Sequence, residues 1–162
     1  MIRRLAKYLP LVALMLTLGS CTKVETPVKG TVNIALDNYG LWSTFGVSGV
    51  GSYRKFIKSE RVPSNFSYTA LTYTGVGGVL LICDVTNTPL AYELTCPYEK
   101  NPSTRINIDS NTYEAVCPKC GSHYNVIEAY GTPISGPAID SKVGLTRYNV
   151  VAASTGGYVI CN

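Results

Sequence analysis

Short apolar segments separated by turn residues fill the chain after its first thirty residues. Residues 66–74 alternate apolar and polar side chains, as a half-buried strand does, and residues 79–83 form a continuous apolar run that suits a buried strand. The Gly-Val-Gly-Gly sequence between them predicts a tight turn. The other predicted strands have the same pattern and lie at residues 31–36, 89–95, 106–109, 113–116, 126–128, 145–152 and 158–161.

The pattern favours an all-β fold. Residues 38–65 are rich in Gly and predict irregular loops with short strands, and no amphipathic helix of useful length follows the N-terminal segment. Tyr, Thr, Val and Ile, which favour strands, are abundant, whereas charged residues make up only 15% of the chain. We therefore predict a small antiparallel β-sandwich or open barrel, with no helix beyond the N-terminal segment.

The N-terminal segment has the features of an export signal. Arg3, Arg4 and Lys7 form a basic start, and residues 9–18 form an apolar stretch too short for a comfortable transmembrane helix. The stretch ends in Leu-Gly-Ser followed by Cys21, a sequence that resembles the bacterial lipobox. That resemblance implies a cysteine that is diacylated and becomes the first residue of the mature protein.

These features predict three parts: a signal peptide over residues 1–20, a lipidated cysteine and tether over residues 21–30, and one β domain over residues 31–162. The expected location is the bacterial cell envelope, with the membrane as a partner through the lipid on Cys21. Thr22 is not an acidic retention signal, which favours the outer membrane.

Removing the signal peptide also removes the charge imbalance. Three of the 14 basic residues and none of the 10 acidic residues lie in residues 1–20, so 11 − 10 leaves a net charge of +1. Nothing in this balance indicates nucleic-acid binding.

Two cysteine boxes carry the candidate chemistry. The first is Cys96-Pro-Tyr-Glu, and the second, 21 positions later, is Cys117-Pro-Lys-Cys120-Gly-Ser-His-Tyr. Each box follows a predicted strand and contains turn residues, which indicates two loops that converge on one metal centre.

The boxes resemble those of the Rieske iron–sulfur domain, whose pattern is Cys-X-His followed by Cys-X-X-His-Gly-Ser-X-aromatic. The resemblance covers residues 75–162 and implies that Cys96 and Cys117 are metal ligands. It also implies that Gly121, Ser122 and Tyr124 form a turn whose hydroxyl groups hydrogen-bond to sulfur. Residues 131–138, with Gly136 and Pro137, resemble the proline loop that shields the cluster from water.

The ligand set departs from the family pattern. Tyr98 stands at the first histidine position and Cys120 at the second, while His123, the single histidine of the chain, occupies a position whose side chain generally points away from the cluster. The resemblance therefore predicts the fold more firmly than the cofactor.

Three interpretations of the site remain open. The first is an iron–sulfur cluster of the [2Fe–2S] type, held by Cys96, Cys117 and Cys120 with Tyr98, Glu99 or an outside group as the fourth ligand. The second is a single metal such as zinc, held by the three cysteines and Glu99. The third is a metal-free scaffold whose thiols pair as a disulfide, because an exported protein meets an oxidising compartment.

The two remaining cysteines and two alternative enzyme activities do not change these interpretations of the site. Cys83 and Cys161 lie in apolar segments and either pair with each other or stay as buried thiols. A Cys/His hydrolase lacks a group to orient His123, and a thioredoxin-like role needs a helix after the CxxC sequence. The expected function is electron transfer to a redox partner in the envelope, without catalysis. The alternative is a structural or binding lipoprotein that kept the scaffold.

Overall fold

A computed structural model describes residues 23–162. The predicted signal peptide and Cys21 lie outside these residues. Within them the strands and helices run in the following order: β1 (Val32–Asn38), α1 (Tyr39–Phe45), β2 (Tyr53–Phe56), β3 (Tyr73–Thr74), β4 (Val79–Cys83), β5 (Pro89–Glu93), β6 (Asn107–Ile108), β7 (Ala115–Val116), β8 (His123–Asn125), β9 (Thr132–Ser135), α2 (Pro137–Asp140), β10 (Arg147–Ala152) and β11 (Gly156–Cys161).

The larger of two sheets is antiparallel and nearly closes into a barrel. Its strand order is β2-β4-β5-β10-β11-β1-β3. The two edge strands approach each other where the backbone N–H of Lys58, just after β2, donates to the Thr74 hydroxyl of β3 at 3.3 Å. The all-β prediction is confirmed.

Strand β4 explains the long apolar run of the sequence. Leu80 and Ile82 belong to a core cluster that the barrel shares with the smaller sheet, while Val79, Leu81 and Cys83 belong to the cluster inside the barrel. Both faces of β4 are therefore buried, which is why its residues do not alternate with polar ones.

The smaller sheet, with strand order β6-β7-β8-β9, carries the second cysteine box. The box occupies the connection between β7 and β8, which pair in register at Val116 and His123. The first box follows β5, so the barrel supplies one loop of the candidate site and the smaller sheet supplies the other.

Two predicted strands are wrong. Most of residues 66–74 is irregular and only Tyr73–Thr74 form a strand. Phe66 turns inward to pack edge-on against Phe45 and Phe56, at centroid distances of 5.2 and 5.3 Å. Residues 126–128 are not a strand either. The side-chain oxygen of Asn125 accepts the backbone N–H groups of the following residues, which ends β8 before Val126.

The prediction of no helix is corrected by a small amount of helix. Helix α1 begins after Asn38, whose side-chain oxygen accepts the backbone N–H of Leu41 at 2.9 Å and so supplies an N-cap. Helix α2 is a single turn with proline at its start. A 3-10 helix spans Lys58–Glu60, and within residues 23–162 no helix is long and apolar enough to cross a membrane.

The described part of the predicted tether lies against the domain rather than standing away from it. The backbone N–H of Glu25 donates to the carbonyl of Lys142 at 2.7 Å, and the Thr146 hydroxyl donates to the carbonyl of Val28. Val28 is buried.

Candidate metal centre

The first cysteine box is a closed turn at the end of the barrel. The backbone N–H of Cys96 donates to the carbonyl of Thr104, and the N–H of Lys100 donates back to the carbonyl of Cys96, both at 2.9 Å. These bonds fix the direction in which the Cys96 side chain leaves the backbone. The thiol is fully buried.

The second box is a reverse turn closed by Cys117. Its N–H donates to the carbonyl of Ser122 at 2.9 Å, and its carbonyl accepts the N–H of Gly121 at 3.0 Å. Gly121 has φ +69°, a left-handed conformation that glycine adopts without steric cost. The turn brings the thiols of Cys117 and Cys120 towards the first box.

Three thiols meet between the two boxes. The Sγ atoms of Cys96, Cys117 and Cys120 all lie within 4.8 Å of one another, and those of Cys96 and Cys120 are 3.7 Å apart. All three are free thiols, because a disulfide requires a separation of about 2.05 Å. Cys96 and Cys117 are buried, whereas Cys120 is partly exposed.

The sulfur spacing suits a single metal ion. Two thiolates bound to one tetrahedral metal at about 2.3 Å each are about 3.8 Å apart, close to the separation of Cys96 and Cys120. In a [2Fe–2S] cluster, ligands on different irons lie further apart than ligands on the same iron. The three cysteines therefore form a group that can bind a metal ion, with a fourth position left for another ligand.

Two hydroxyl groups contact these sulfurs. Tyr124 Oη lies 3.5 Å from Sγ of Cys96, and the Cys120 thiol donates to Oγ of Ser122 at 3.2 Å. Burial, and then the hydrogen bond to Cys96, raise the pKa of Tyr124, so its phenol stays protonated and available as a donor. Ser122 is completely buried.

The two cysteines of the second box have opposite acidities. Burial raises the pKa of the Cys117 thiol to about 12. Burial also acts against ionisation of Cys120, but hydrogen bonds from the hydroxyl and backbone N–H of Ser122, and then from the neighbouring thiols, outweigh it and lower the pKa of Cys120. Cys120 is thus the thiol of this box that ionises more readily.

The predicted proline loop packs on the second box. Gly136 has φ +76°, and a Cβ atom there would lie 2.7 Å from Cα of Ser122. The backbone N–H of Ala138 donates to Oγ of Ser122 at 3.1 Å, and Pro137 between them is partly buried. The loop therefore covers the three-cysteine group on the side where Ser122 lies.

The predicted carboxylate ligand is paired elsewhere in the structure. The Glu99 carboxylate pairs with the ammonium of Lys119 and is not a member of the three-cysteine group. The Tyr98 side chain is 40% exposed. His123 Nδ1 lies 2.7 Å from a carboxylate oxygen of Glu114 on the neighbouring strand, so its imidazole is paired away from the thiols.

Cys83 and Cys161 are both free, and the strands that carry them, β4 and β11, are separated in the sheet by β5 and β10. They do not pair with each other. Burial, and then the nearby Asp84 carboxylate, raise the pKa of Cys83.

Sequence analysis missed Glu93, a buried carboxylate beside the first box. Its two oxygens accept the backbone N–H groups of Val76, Gly77 and Thr95 and the hydroxyl groups of Thr95 and Tyr148, at 2.7–3.0 Å. Its relative exposure is 1%. The one signal in the sequence is an acidic residue within an otherwise apolar segment, residues 89–94.

Glu93 joins three parts of the chain behind the first cysteine box. It holds the glycine turn before β4, the segment that leads into Cys96, and strand β10 through Tyr148. Backbone and hydroxyl donors compensate the charge, so the carboxylate positions Cys96 through Thr95 and does not itself reach the sulfurs.

Fold and site together define an all-β domain with three cysteines placed to bind a metal ion. No family model matches the chain, and no curated protein matches it. The resemblance to Rieske domains stays a prediction from the motifs.

Proposed function

We propose that this protein is a lipid-anchored redox component of the bacterial envelope. Its Rieske-like domain holds a metal through Cys96, Cys117 and Cys120 and passes single electrons to a protein partner. The observation that carries the proposal is the convergence of three thiols from two separate loops to within 4.8 Å, with hydroxyl groups on two of the sulfurs.

Two features of the thiols' surroundings support this proposal. Bound iron would supply one-electron chemistry, and Tyr124 and Ser122 would stabilise the thiolates by donating hydrogen bonds to sulfur. Buried Cys96 and Cys117 keep water from one side, while partly exposed Cys120 gives a short path to the surface. Three thiolates concentrate negative charge and favour the oxidised metal, so a low potential is expected.

The sulfur spacing also supports a second function. Zinc is bound tetrahedrally by thiolates in structural sites, and a separation of 3.7 Å between Cys96 and Cys120 matches that geometry. A zinc ion there would join the two loops without redox chemistry, and the protein would then be a structural or binding lipoprotein.

One experiment separates these functions. The full-length protein is purified from membranes in detergent, without oxygen or chelators, and its metals are quantified together with its visible absorption and electron paramagnetic resonance spectra. Iron with thiolate-to-iron absorption that bleaches reversibly on reduction supports the redox proposal. Colourless protein with one zinc selects the structural function, and metal-free protein with oxidised thiols at the boxes contradicts both.

A further inference from the structure

The N-terminal segment docks against residues 142–144, just after α2. Glu25 pairs with Val143 in a parallel bridge, donating its backbone N–H to the carbonyl of Lys142 and accepting the N–H of Gly144 at 2.8 Å. Val24 packs at the same place, because a Cβ on Gly144 would lie 2.8 Å from Cγ1 of Val24. The chain is therefore fixed to the domain from these residues onwards.

The docking position is linked to the thiols by a short series of contacts. The N–H of Val143 donates to the carbonyl of Ala138 at 3.0 Å, the N–H of Ala138 donates to Oγ of Ser122, and that oxygen accepts the thiol of Cys120. Hydrogen bonds through Ala138 and Ser122 thus connect the docking position to Cys120.

Cys21 is four residues before Glu25. A fully extended chain spans at most about 3.6 Å per residue, so the Cα atom of Cys21 lies within about 14 Å of that of Glu25. A lipid on Cys21 that is buried in a bilayer must then hold this end of the domain against the headgroups.

The surface around the docking position suits such a contact. Ile139 in α2 and Ile134 in β9 are 42% and 40% exposed, and Lys142, whose backbone N–H donates to the carbonyl of Ile139, is exposed as well. Apolar side chains flanked by a long cationic one fit the boundary between headgroups and acyl chains.

We infer that the proline loop and α2 form a membrane-facing surface, and that the bilayer holding the lipid on Cys21 is its occupant. The cysteine site then opens beside the headgroup layer, and a partner meets it at the membrane surface. This inference rests on the lipid anchor of the proposed function, but not on which metal is bound.

Tryptophan fluorescence tests this orientation. The full-length lipidated protein, in the variants Ile139→Trp and Val85→Trp, is reconstituted into phosphatidylcholine vesicles with and without brominated acyl chains, which quench nearby indoles. Val85 is the matched control, because it is 49% exposed in the turn before β5, at the end of that strand opposite the first cysteine box. Trp42 gives the same background in both variants and in the wild type.

We expect bromolipid quenching of I139W to exceed the wild-type level at least twofold, and V85W to stay at that level. Equal quenching of the two variants, or a mature chain that carries no acyl groups on Cys21, would overturn the inference. Amide hydrogen exchange of the wild type on and off vesicles provides a second measurement that needs no substitution. Slower exchange over residues 137–143 on vesicles is expected, and no change there counts against the inference.

A linker variant tests the role of the short connection. Twelve Gly and Ser residues inserted between Thr22 and Lys23 would give the anchor a root-mean-square reach of about 20 Å. Selective quenching of I139W should fall to the wild-type level, and its persistence would contradict an orientation set by the anchor. Metal analysis of the same samples is independent, so missing metal would overturn the proposed function while leaving the orientation intact.

Discussion

Oγ of Ser122 lies 3.2 Å from Sγ of Cys120, at the centre of the contact between the second cysteine box and the proline loop. The same oxygen accepts the backbone N–H of Ala138 at 3.1 Å. A hydroxyl group has one hydrogen and two acceptor sites, so Ser122 can keep the bond from Ala138 and donate to sulfur once Cys120 loses its proton. One buried side chain thus serves both the packing of the loop and the charge of a candidate ligand.

Replacing Ser122 by alanine should destabilise the domain. The buried N–H of Ala138 would lose its acceptor, at a cost of about 1–3 kcal/mol in the free energy of unfolding, measured by urea denaturation. Ser135→Ala is the control, because Ser135 lies in the proline loop, as Ala138 does, and its side chain is exposed. Equal stabilities of S122A and S135A would contradict the role given to the buried hydroxyl.

The close approach of Gly136 to Ser122 gives a second prediction. Gly136→Ala and Gly49→Ala both place alanine at positive φ, which costs about 1–2 kcal/mol, but only at Gly136 would the new Cβ meet backbone, 2.7 Å from Cα of Ser122. At Gly49 nothing lies within 4 Å. We therefore expect G136A to lose more stability than G49A.

The two glycine variants should also differ at the site. In metal-free protein, displacement of the proline loop exposes Cys120, so G136A should speed alkylation of that thiol by iodoacetamide, followed by mass spectrometry. G49A should leave the rate unchanged. Identical alkylation rates in the two variants would show that the proline loop does not cover the thiol of Cys120.

Much of the fold can be predicted because its causes are local in the sequence. The run of apolar residues at 79–83 indicates burial on both faces of β4, and the glycines before it predict a turn. The segment at residues 66–74 misleads because the inward packing of Phe66 against Phe45 and Phe56 depends on residues far away in the chain. Alternation alone does not separate a strand from an irregular segment that buries only some of its side chains.

The candidate site, too, can be predicted from the sequence only in part. Spacing and turn residues suffice to predict that Cys96, Cys117 and Cys120 converge, because each box is a short closed turn. Three of the five bonds to Glu93 come from two distant segments, at residues 76–77 and at Tyr148, so no local sequence motif predicts them. The pairing of Glu99 with Lys119 across the two boxes likewise becomes visible only when the loops face each other.

Metal content should depend on each of the three converging cysteines. Single substitutions Cys96→Ser, Cys117→Ser and Cys120→Ser each remove one soft ligand, and bound metal should fall from about one equivalent to a small fraction in each variant. Cys161→Ser is the control, because that thiol is free and lies on β11, outside the three-cysteine group. A metal content equally reduced in C161S, or unchanged in C96S, would rule out the assigned ligand set.

The buried carboxylate of Glu93 should be essential for stability. Glu93→Gln keeps the shape but turns an N–H group towards donors that need an acceptor, so we expect a loss of about 2–3 kcal/mol in the free energy of unfolding. Glu114→Gln serves as the matched control, since the Glu114 side chain is 31% exposed and its pair with His123 contributes at most about 1 kcal/mol. Comparable losses in the two variants would contradict the role of Glu93 as an anchor of the first box.

Buried tyrosines should make the domain sensitive to alkali. Burial raises the pKa of Tyr68 to about 12, and burial also raises those of Tyr92, Tyr124 and Tyr148. The phenols of an unfolded chain have a pKa of about 10. The neutral form is therefore favoured by folding. The contribution of neutral Tyr68 to the free energy of unfolding is fully present below about pH 10. It is lost as the pH rises through the folded-state pKa of about 12.

Circular dichroism during urea titration at about pH 8 and about pH 11 measures this loss, with tyrosinate absorbance as the report of ionisation. Tyr68→Phe removes one phenol that resists ionisation, so the difference in stability between the two pH values should shrink relative to the wild type. Tyr39→Phe is the control and should leave that difference unchanged, because the Tyr39 side chain is 76% exposed and burial does not act on it. A wild type whose free energy of unfolding is the same at both pH values would contradict the linkage, since every phenol would then ionise as readily in the folded domain as in the unfolded chain.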